Sequence, residues 1–171
     1  TSGIDVDASY RTPLAGGNLS LRLYASYLDS YKTQQSVVAP IYDIAGRANI
    51  NATNIVGRPK VRGTFNVDYT KGGFGIFLSQ QYIGKFTLGT TEPNQVVPNP
   101  QVPAVWYTDL TLSQKVPTGS GEFELFATVN NLFDKQGPII PSASSGGSIP
   151  TMTALYDVVG RAFTVGVRMK M

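Results

Sequence analysis

The sequence lacks both cysteine and histidine among its 171 residues. Disulfides and thiolate metal sites are therefore excluded, and the commonest metal ligand and general base are missing. Neither a Ser-His-Asp nor a Cys-His catalytic arrangement can be assembled within the chain. Long apolar runs are absent too, so no segment approaches the roughly 20 apolar residues of a membrane-spanning helix. We predict that the chain is not an enzyme and requires no cofactor and no metal.

Charged residues are also scarce, at 15% of the chain, compared with about 25% in typical soluble domains. The mean hydropathy is −0.05. A value near zero is compatible with transmembrane β-strands, because their apolar and polar residues alternate. The 14 basic residues are scattered along the sequence and give a net charge of only +3. A nucleic-acid partner is therefore not expected.

Period-two alternation is the main pattern present. In the last stretch, Tyr156–Met171, the odd positions from Phe163 onward are apolar and the even positions between them are polar, small or cationic. Because side chains on a strand alternate between faces, this strand has one apolar and one polar face. The same alternation predicts strands at about 3–14, 18–32, 59–70, 74–87, 104–116 and 122–133, which makes seven with the closing strand. The predicted fold is all-β, an antiparallel up-and-down meander of about seven long strands.

Short and long connections alternate between these strands. The short turns are Ala15–Asn18, Lys71–Gly73 and Pro117–Gly121, and the long loops are 33–58, 88–103 and 134–153. The first long loop is expected to carry a short strand at each end, whereas four prolines predict that 88–103 contains none. In an up-and-down membrane barrel, short turns lie in the periplasm and long loops outside. The carboxyl terminus would then be periplasmic.

Strand length and aromatic placement favour the membrane interpretation. The predicted strands have roughly 11–15 residues, whereas soluble strands usually have about 5–6 and tilted transmembrane strands about 9–11. Aromatic residues near strand ends suggest interfacial girdles. They are Tyr10, Tyr27, Tyr31, Tyr69, Phe74, Phe86, Trp106 and Phe123. The alternative is a self-contained small β-barrel or a soluble β-sandwich that binds ligands without transport.

Two motifs near the end carry a resemblance to a known family. Val129–Lys135 reads VNNLFDK, and Tyr156–Phe163 reads YDVVGRAF. Together they resemble the carboxyl-terminal signature of TonB-dependent outer-membrane receptors, and Gly3–Tyr10 and Tyr82–Gly84 are similar to earlier barrel segments. The signature residues are Asn131, Leu132, Phe133, Asp134, Gly160, Arg161 and Phe163, while Met171 stands where the family usually has an aromatic residue.

The resemblance implies that residues 1–171 are the carboxyl-terminal segment of a receptor β-barrel of about 22 strands with a plugged lumen. The plug domain and the earlier strands would lie elsewhere, and the start TSGIDVDAS is interpreted as following a removed signal peptide or a longer upstream chain. The implied location is the outer membrane of a Gram-negative bacterium. The implied function is active uptake of a scarce nutrient such as a ferric siderophore (iron transport), cobalamin or a glycan.

The implied partners are outer-membrane lipid, the plug domain and remaining barrel strands, the TonB complex, and the barrel-assembly machinery. A seven-stranded piece alone has two open edges, so self-association is also expected. The long loops supply candidate residues for ligand contact. They are chosen because aromatic and Arg side chains bind many kinds of ligand. They are Tyr42, Arg47, Arg58, Gln95, Trp106 and the Pro138–Pro150 loop.

Two carboxylate pairs, Asp5/Asp7 and Glu122/Glu124, share a strand face at a spacing of about 7 Å. We interpret both as lining a water-filled lumen rather than as a catalytic pair. The basic residues expected to balance them are Arg11, Arg22, Arg62 and Lys115.

Overall fold

The computed structural model describes residues 1–34, 36–38, 40–49, 57–89, 99–119, 121–140 and 151–170. These ranges contain twelve β-strands and no helix. No helix long and apolar enough to cross a membrane therefore occurs in the described part of the chain. The predicted all-β class is confirmed.

Seven long strands form one antiparallel meander, as the alternation predicted. They are β1 (Ser2–Leu14), β2 (Gly17–Ser30), β6 (Val61–Lys71), β7 (Phe74–Ile83), β10 (Val105–Thr118), β11 (Gly121–Asn130) and β12 (Ala162–Lys170), and they are hydrogen-bonded in that order. Their ends lie within a few residues of the predicted ends, except in β7. The sheet is open, with β1 and β12 at its two edges.

Short strands in the long connections form two further sheets. β3 (Lys32–Thr33) pairs with β4 (Tyr42–Asp43), and β8 (Phe86–Gly89) lies between β5 (Arg47–Asn49) and β9 (Gln101–Val102). The fourth predicted strand thus ends at Ile83 and resumes as β8. The expected strand at the start of the first long loop is present as β3, whereas β4 and β5 lie in the middle of that loop. The expected strand at its other end is not found in residues 57–60, and residues 50–56 lie outside the described residues.

The prediction that no strand forms in 88–103 is wrong. β9 consists of Gln101 and Val102, which pair with Thr87 and Phe86. Proline is rare inside a sheet because it has no N–H to donate. The two residues between Pro100 and Pro103 do have N–H groups, and the Pro100 carbonyl accepts a 2.6 Å hydrogen bond from the Leu88 N–H.

The register brings most of the apolar residues of the seven long strands onto one face. One row across the sheet consists only of aliphatic and aromatic side chains, which are Tyr10, Leu21, Val67, Leu78, Leu110, Val129 and Phe163. Many side chains of this face are open to the surroundings, with Phe163 71% and Val165 81% exposed. We call it the apolar face.

Two polar residues on the apolar face satisfy each other. Gln80 and Thr108 are register partners on β7 and β10. The Thr108 hydroxyl donates to Gln80 Oε1 at 2.8 Å, and Gln80 Nε2 donates to the Tyr107 carbonyl at 3.1 Å. Buried polar atoms are costly only when they lack a partner, so this pair is compatible with apolar surroundings.

The opposite, polar face carries the ion pairs of the described residues. Arg22 lies 3.0 Å from Asp7, Lys115 lies 3.7 Å from Glu122, and Arg168 lies 3.2 Å from Glu124. Two of these three pairs involve the basic residues expected to balance the carboxylates. Because most of the groups are well exposed, solvent screening leaves each pair little net effect on stability. Their shared location distinguishes this face, which we call the polar face.

The hydrophobic core lies at the long-loop end of the sheet, on the polar-face side. Ile83, Val105 and Tyr107 project there from β7 and β10. The loop residues packed on them are Ala48, Phe86, Leu88, Val102, Ile140, Met152 and Tyr156. Phe86 is 2% exposed, so the expectation that it forms part of an interfacial girdle is wrong, because β8 turns its side chain under the loops.

Gly166 on β12 lies beneath an aromatic ring. A Cβ at Gly166 would stand 2.6 Å from Cζ of Phe126, its register partner on β11. Arg168 covers the same ring, with its guanidinium carbon 4.4 Å from the ring centroid.

Gly166→Val is therefore expected to lower the free energy of unfolding by about 1–3 kcal/mol, the usual cost of overpacking. Urea unfolding measures the loss. Thr164→Val, on the same face, is the matched control and should cost less. Adding Phe126→Ala to Gly166→Val should recover part of the loss, and strict additivity of the two substitutions would contradict the proposed contact.

Candidate functional site

An open cleft of about 620 Å³ lies at the long-loop end of the sheet. It is formed where the ends of β2, β6 and β7 meet the small β5-β8-β9 sheet. Its lining residues include Tyr27, Asp43, Arg47, Lys60, Val61, Tyr82, Lys85, Thr87 and Gln101.

The small sheet supplies one wall of the cleft through strand alternation. Ala48, Leu88 and Val102 point into the hydrophobic core. Arg47, Thr87 and Gln101 follow or precede core residues and therefore point to the other side. They form one cross-strand row, since Arg47 pairs with Thr87 and Thr87 pairs with Gln101. The row supplies a guanidinium, a hydroxyl and an amide to the cleft.

The facing wall of the cleft comes from the apolar face. Tyr27, Val61 and Tyr82 are members of that face at the loop ends of their strands. Trp106 pairs with Tyr82 across the sheet, and their ring centroids are 4.4 Å apart. The cleft therefore joins a polar wall to the aromatic end of the apolar face.

Positive charge dominates the cleft. Arg47, Lys60 and Lys85 contribute three cations, and Asp43 is the one carboxylate in the lining. None of the three cations forms a salt bridge with another residue that the structure describes. The cleft thus has a net positive charge of two within its described lining.

The Asp43 carboxylate is held by the backbone. Its Oδ1 atom accepts hydrogen bonds from the N–H groups of Tyr31 at 2.9 Å and Ala45 at 3.0 Å. These bonds, more than the nearby charges of Lys60 and Lys32, lower the pKa of Asp43. Asp43 therefore stays ionised at neutral pH and fixes the turn that presents Arg47.

The structure separates the predicted ligand-contact residues. Arg47 lines the cleft, and Trp106 lies beside its aromatic wall. Tyr42 is on β4, paired with Thr33. The Arg58 guanidinium stacks over the Tyr31 ring at 4.0 Å. Gln95 and residues 141–150 of the third loop lie outside the described residues.

A second site is the network formed by the signature residues. Asn131 is 3% exposed and has a left-handed backbone, with φ of 51°. Its Nδ2 donates to the Lys135 carbonyl at 3.0 Å and to Asp157 Oδ2 at 2.9 Å, while its Oδ1 accepts from the Lys135 N–H at 2.8 Å. Its own N–H donates to Asp109 Oδ1 at 2.8 Å. Asn131 thereby joins β10, the start of the last loop and the segment near its end.

The remaining signature residues close the same loop. Asp134 Oδ1 accepts a hydrogen bond of 3.0 Å from the Arg161 N–H. Gly160 has φ of 77°, and a Cβ there would lie 3.0 Å from the same carboxylate oxygen. Glycine is thus favoured at 160 both by its backbone conformation and by this close approach.

The apolar signature residues lie outside this network. Phe133 is 74% exposed and Phe163 belongs to the apolar face, while the Leu132 N–H donates to the Thr108 carbonyl at 2.7 Å. Met171 is outside the described residues. The polar signature residues therefore bind the two ends of the last loop together, and the apolar ones do not take part through their side chains.

No family model, curated protein or solved structure matches this chain.

The sequence reasoning missed Lys60, Lys85 and the aromatic wall of the cleft. The order of the strands could have predicted that the two lysines lie close together. Lys60 precedes β6 and Lys85 follows β7, and these strands are antiparallel partners with Arg62 opposite Ile83. Residues just beyond the same end of a strand pair lie close together, so a meander with known strand ends predicts this proximity.

The described residues contain no cluster of three or more His, Cys, Asp or Glu side chains arranged to hold a metal ion.

Tyr156, in the last loop, gives a pH-dependent prediction. Its hydroxyl is buried with no hydrogen-bond partner among the described residues, and burial raises the pKa of Tyr156 to about 12. An unfolded tyrosine ionises near pH 10. Because the folded state holds its proton more tightly, stability should fall as the pH rises from about 10 to about 12.

Tyr156→Phe should flatten this alkaline loss and raise stability at neutral pH by about 1 kcal/mol, because a buried unsatisfied hydroxyl is removed. Urea unfolding across this pH range tests both effects. Tyr10→Phe, at an exposed position, should match the wild type. A clear loss of stability at neutral pH on Tyr156→Phe would mean that the hydroxyl has a partner.

Proposed function

We propose that this chain forms the carboxyl-terminal part of the β-barrel of a TonB-dependent outer-membrane receptor, which takes up a scarce nutrient such as a ferric siderophore. The observation that carries the proposal is the seven-stranded sheet with an exposed apolar face on one side and paired charges on the other. Lipid would cover the first face, and a hydrated lumen with its plug would meet the second.

The exposed apolar face is unfavourable in water. Its cost is about 25 cal/mol for each Å² of apolar surface, and a contiguous patch larger than a few hundred Å² usually marks an interaction site. In a β-sandwich a second layer would bury this face. Here the loop residues of the core pack instead on the polar-face side of Ile83, Val105 and Tyr107.

Strand length agrees with a bilayer. β2 and β10 each contain 14 residues, which at about 3.3 Å per residue extend for about 46 Å. Tilted by about 45°, such a strand rises by roughly 30 Å, the thickness of the hydrocarbon region.

The signature network supports the family part of the proposal. Asn131, Asp134, Gly160 and Arg161 are residues on which the resemblance rests, and they form one loop-closing arrangement. In the receptor, the long loops with Tyr42 and Arg58 would be the first part of this segment to meet the nutrient. The polar face would contact the plug, and the energy-coupling contact with TonB would belong to the plug side of the receptor.

Cysteine labelling tests the orientation, because this chain contributes no native cysteine. In cells that produce the full natural gene product, Val37→Cys in the first long loop should react with a membrane-impermeant maleimide. Gly119→Cys, in the short turn between β10 and β11, should react only after the outer membrane is permeabilised. Equal labelling of both in intact cells, or recovery of the protein in the soluble fraction, would contradict the proposal.

Transport is tested in the same cells. Removal of TonB should abolish nutrient accumulation and leave the labelling pattern unchanged. Accumulation that persists without TonB would contradict energised uptake while retaining the barrel.

A further inference from the structure

We infer that the basic cleft binds the phosphate-bearing headgroup of an anionic lipid in the outer leaflet; this rests on the proposed membrane orientation. Arg47, Lys60 and Lys85 would contact the phosphate oxygens. Tyr27 and Tyr82 would lie against the adjoining apolar part of the same lipid.

The position of the cleft supports a lipid rather than the transported nutrient. Its aromatic wall belongs to the apolar face, which meets lipid in the proposed orientation. Its polar wall is the outward side of the β5-β8-β9 sheet, whose other side packs into the core over the polar face. The small sheet therefore separates the cleft from the side along which the nutrient would pass.

Aromatic residues indicate at which level of the bilayer the cleft would lie. Tyr27, Tyr82 and Trp106 lie at the loop ends of their strands, and Trp106 is 55% exposed on the apolar face. Tyr and Trp prefer the headgroup level of a bilayer because their rings are amphipathic. A cation placed immediately beyond this band meets the layer in which lipid phosphates lie.

The donors of the cleft match a phosphate group. Two ammonium groups and a guanidinium supply charge-assisted hydrogen bonds, which are roughly twice as strong as neutral ones. The Thr87 hydroxyl and the Gln101 amide lie in the same lining and add neutral donors. Asp43 offsets one of the three positive charges, so the described lining keeps a net charge of +2, and the Asp43 Oδ1 is held by two backbone N–H groups.

The test uses the full natural receptor in vesicles of phosphatidylcholine with added phosphatidic acid, a lipid with a phosphate monoester. Native mass spectrometry after detergent extraction counts the phosphatidic acid retained on each protein. Combined Arg47→Gln, Lys60→Gln and Lys85→Gln should lower the affinity for phosphatidic acid roughly a hundredfold, because each cation near an anionic lipid contributes about fivefold. Lys85→Gln alone, at an exposed position, should lower the affinity for phosphatidic acid about fivefold. This single variant tests the inference if the triple variant does not insert.

The matched control removes three positive charges from the polar face through Arg11→Gln, Arg62→Gln and Lys115→Gln, and should retain phosphatidic acid normally. Equal loss in both triple variants, or normal retention in the cleft variant, would overturn the inference. Inorganic phosphate is the competing probe, and displacement of phosphatidic acid at an equal concentration would assign the site to free phosphate instead. Failure of the wild-type receptor to insert into any vesicle would contradict the proposed function itself, which separates the two failures.

Discussion

Asn131→Asp is expected to destabilise the last loop by about 3–5 kcal/mol, the usual cost of a buried charge without a partner. The substitution preserves the size and shape of the side chain. It replaces the Nδ2 donor, which lies 3.0 Å from the Lys135 carbonyl and 2.9 Å from Asp157 Oδ2, by an acceptor. Two carboxylates would then face each other at a position where the wild-type side chain is 3% exposed.

Two measurements report the effect of Asn131→Asp. The free energy of unfolding in urea gives the total cost, and limited proteolysis between Asn131 and Arg161 reports whether the loop opens before the sheet. We expect cleavage in the loop under conditions in which the wild-type loop is resistant, because the network joins the two ends of this segment.

The neighbouring residue provides the control. Asn130→Asp introduces the same charge at an exposed position of β11 and should change stability by less than about 0.5 kcal/mol. Adding Asp157→Asn to Asn131→Asp restores a donor opposite the new carboxylate and should recover part of the loss. If Asn130→Asp costs as much as Asn131→Asp, the effect is general charge repulsion and the network has no special importance.

Val165→Arg is expected to weaken membrane insertion by about 2–4 kcal/mol, the cost of a cation on the lipid side of a barrel near the bilayer centre. Val165 lies in the middle of β12 with 81% of its side chain exposed. Its register partner is Ala127, whose side chain offers no group to pair with a charge. Folding of the full receptor into lipid vesicles, followed by denaturant titration, measures the loss.

Thr164→Arg is the matched control, one residue away on the opposite face. Thr164 is exposed and pairs with Thr128 on the polar face, so the added cation should be tolerated to within about 1 kcal/mol. A larger cost at Thr164 than at Val165 would reverse the assignment of faces. Unchanged insertion and improved solubility for Val165→Arg would instead favour the soluble alternative, in which the apolar face meets water or a protein partner.

The strands were predictable because their signal is local. Ile4, Val6 and Ala8 alternate with charged or hydroxyl residues, and the structure places all three on one face of β1. The signal failed near Ile83, where the alternation continues to Phe86 but the chain turns. Side-chain pattern alone does not report that the Gly84 N–H donates to the Val61 carbonyl at 2.8 Å and ends β7.

The signature residues were found by resemblance, but their contacts were not. Asn131 and Asp157 are separated by 26 residues in sequence and by a single hydrogen bond of 2.9 Å in space. Likewise, the cleft depends on the parallel pairing of β5 with β8, which joins two different long loops. Pairing between segments that are distant in the sequence produces no periodic residue pattern in either of them.

The seven long strands, their alternating faces and the short turns between them could be predicted from the chain's residues, because period-two patterning and glycine- or proline-rich turns act over a few neighbouring residues. The contacts at the loop end could not be predicted in this way and are seen only in the folded chain: Arg47 lies with Lys60 and Lys85 in the cleft, and Asn131 lies with Asp157 in the network. Those contacts depend on how the long loops fold back over the polar face. The folded arrangement of the loops is stabilised by burial of Phe86, Met152 and Tyr156.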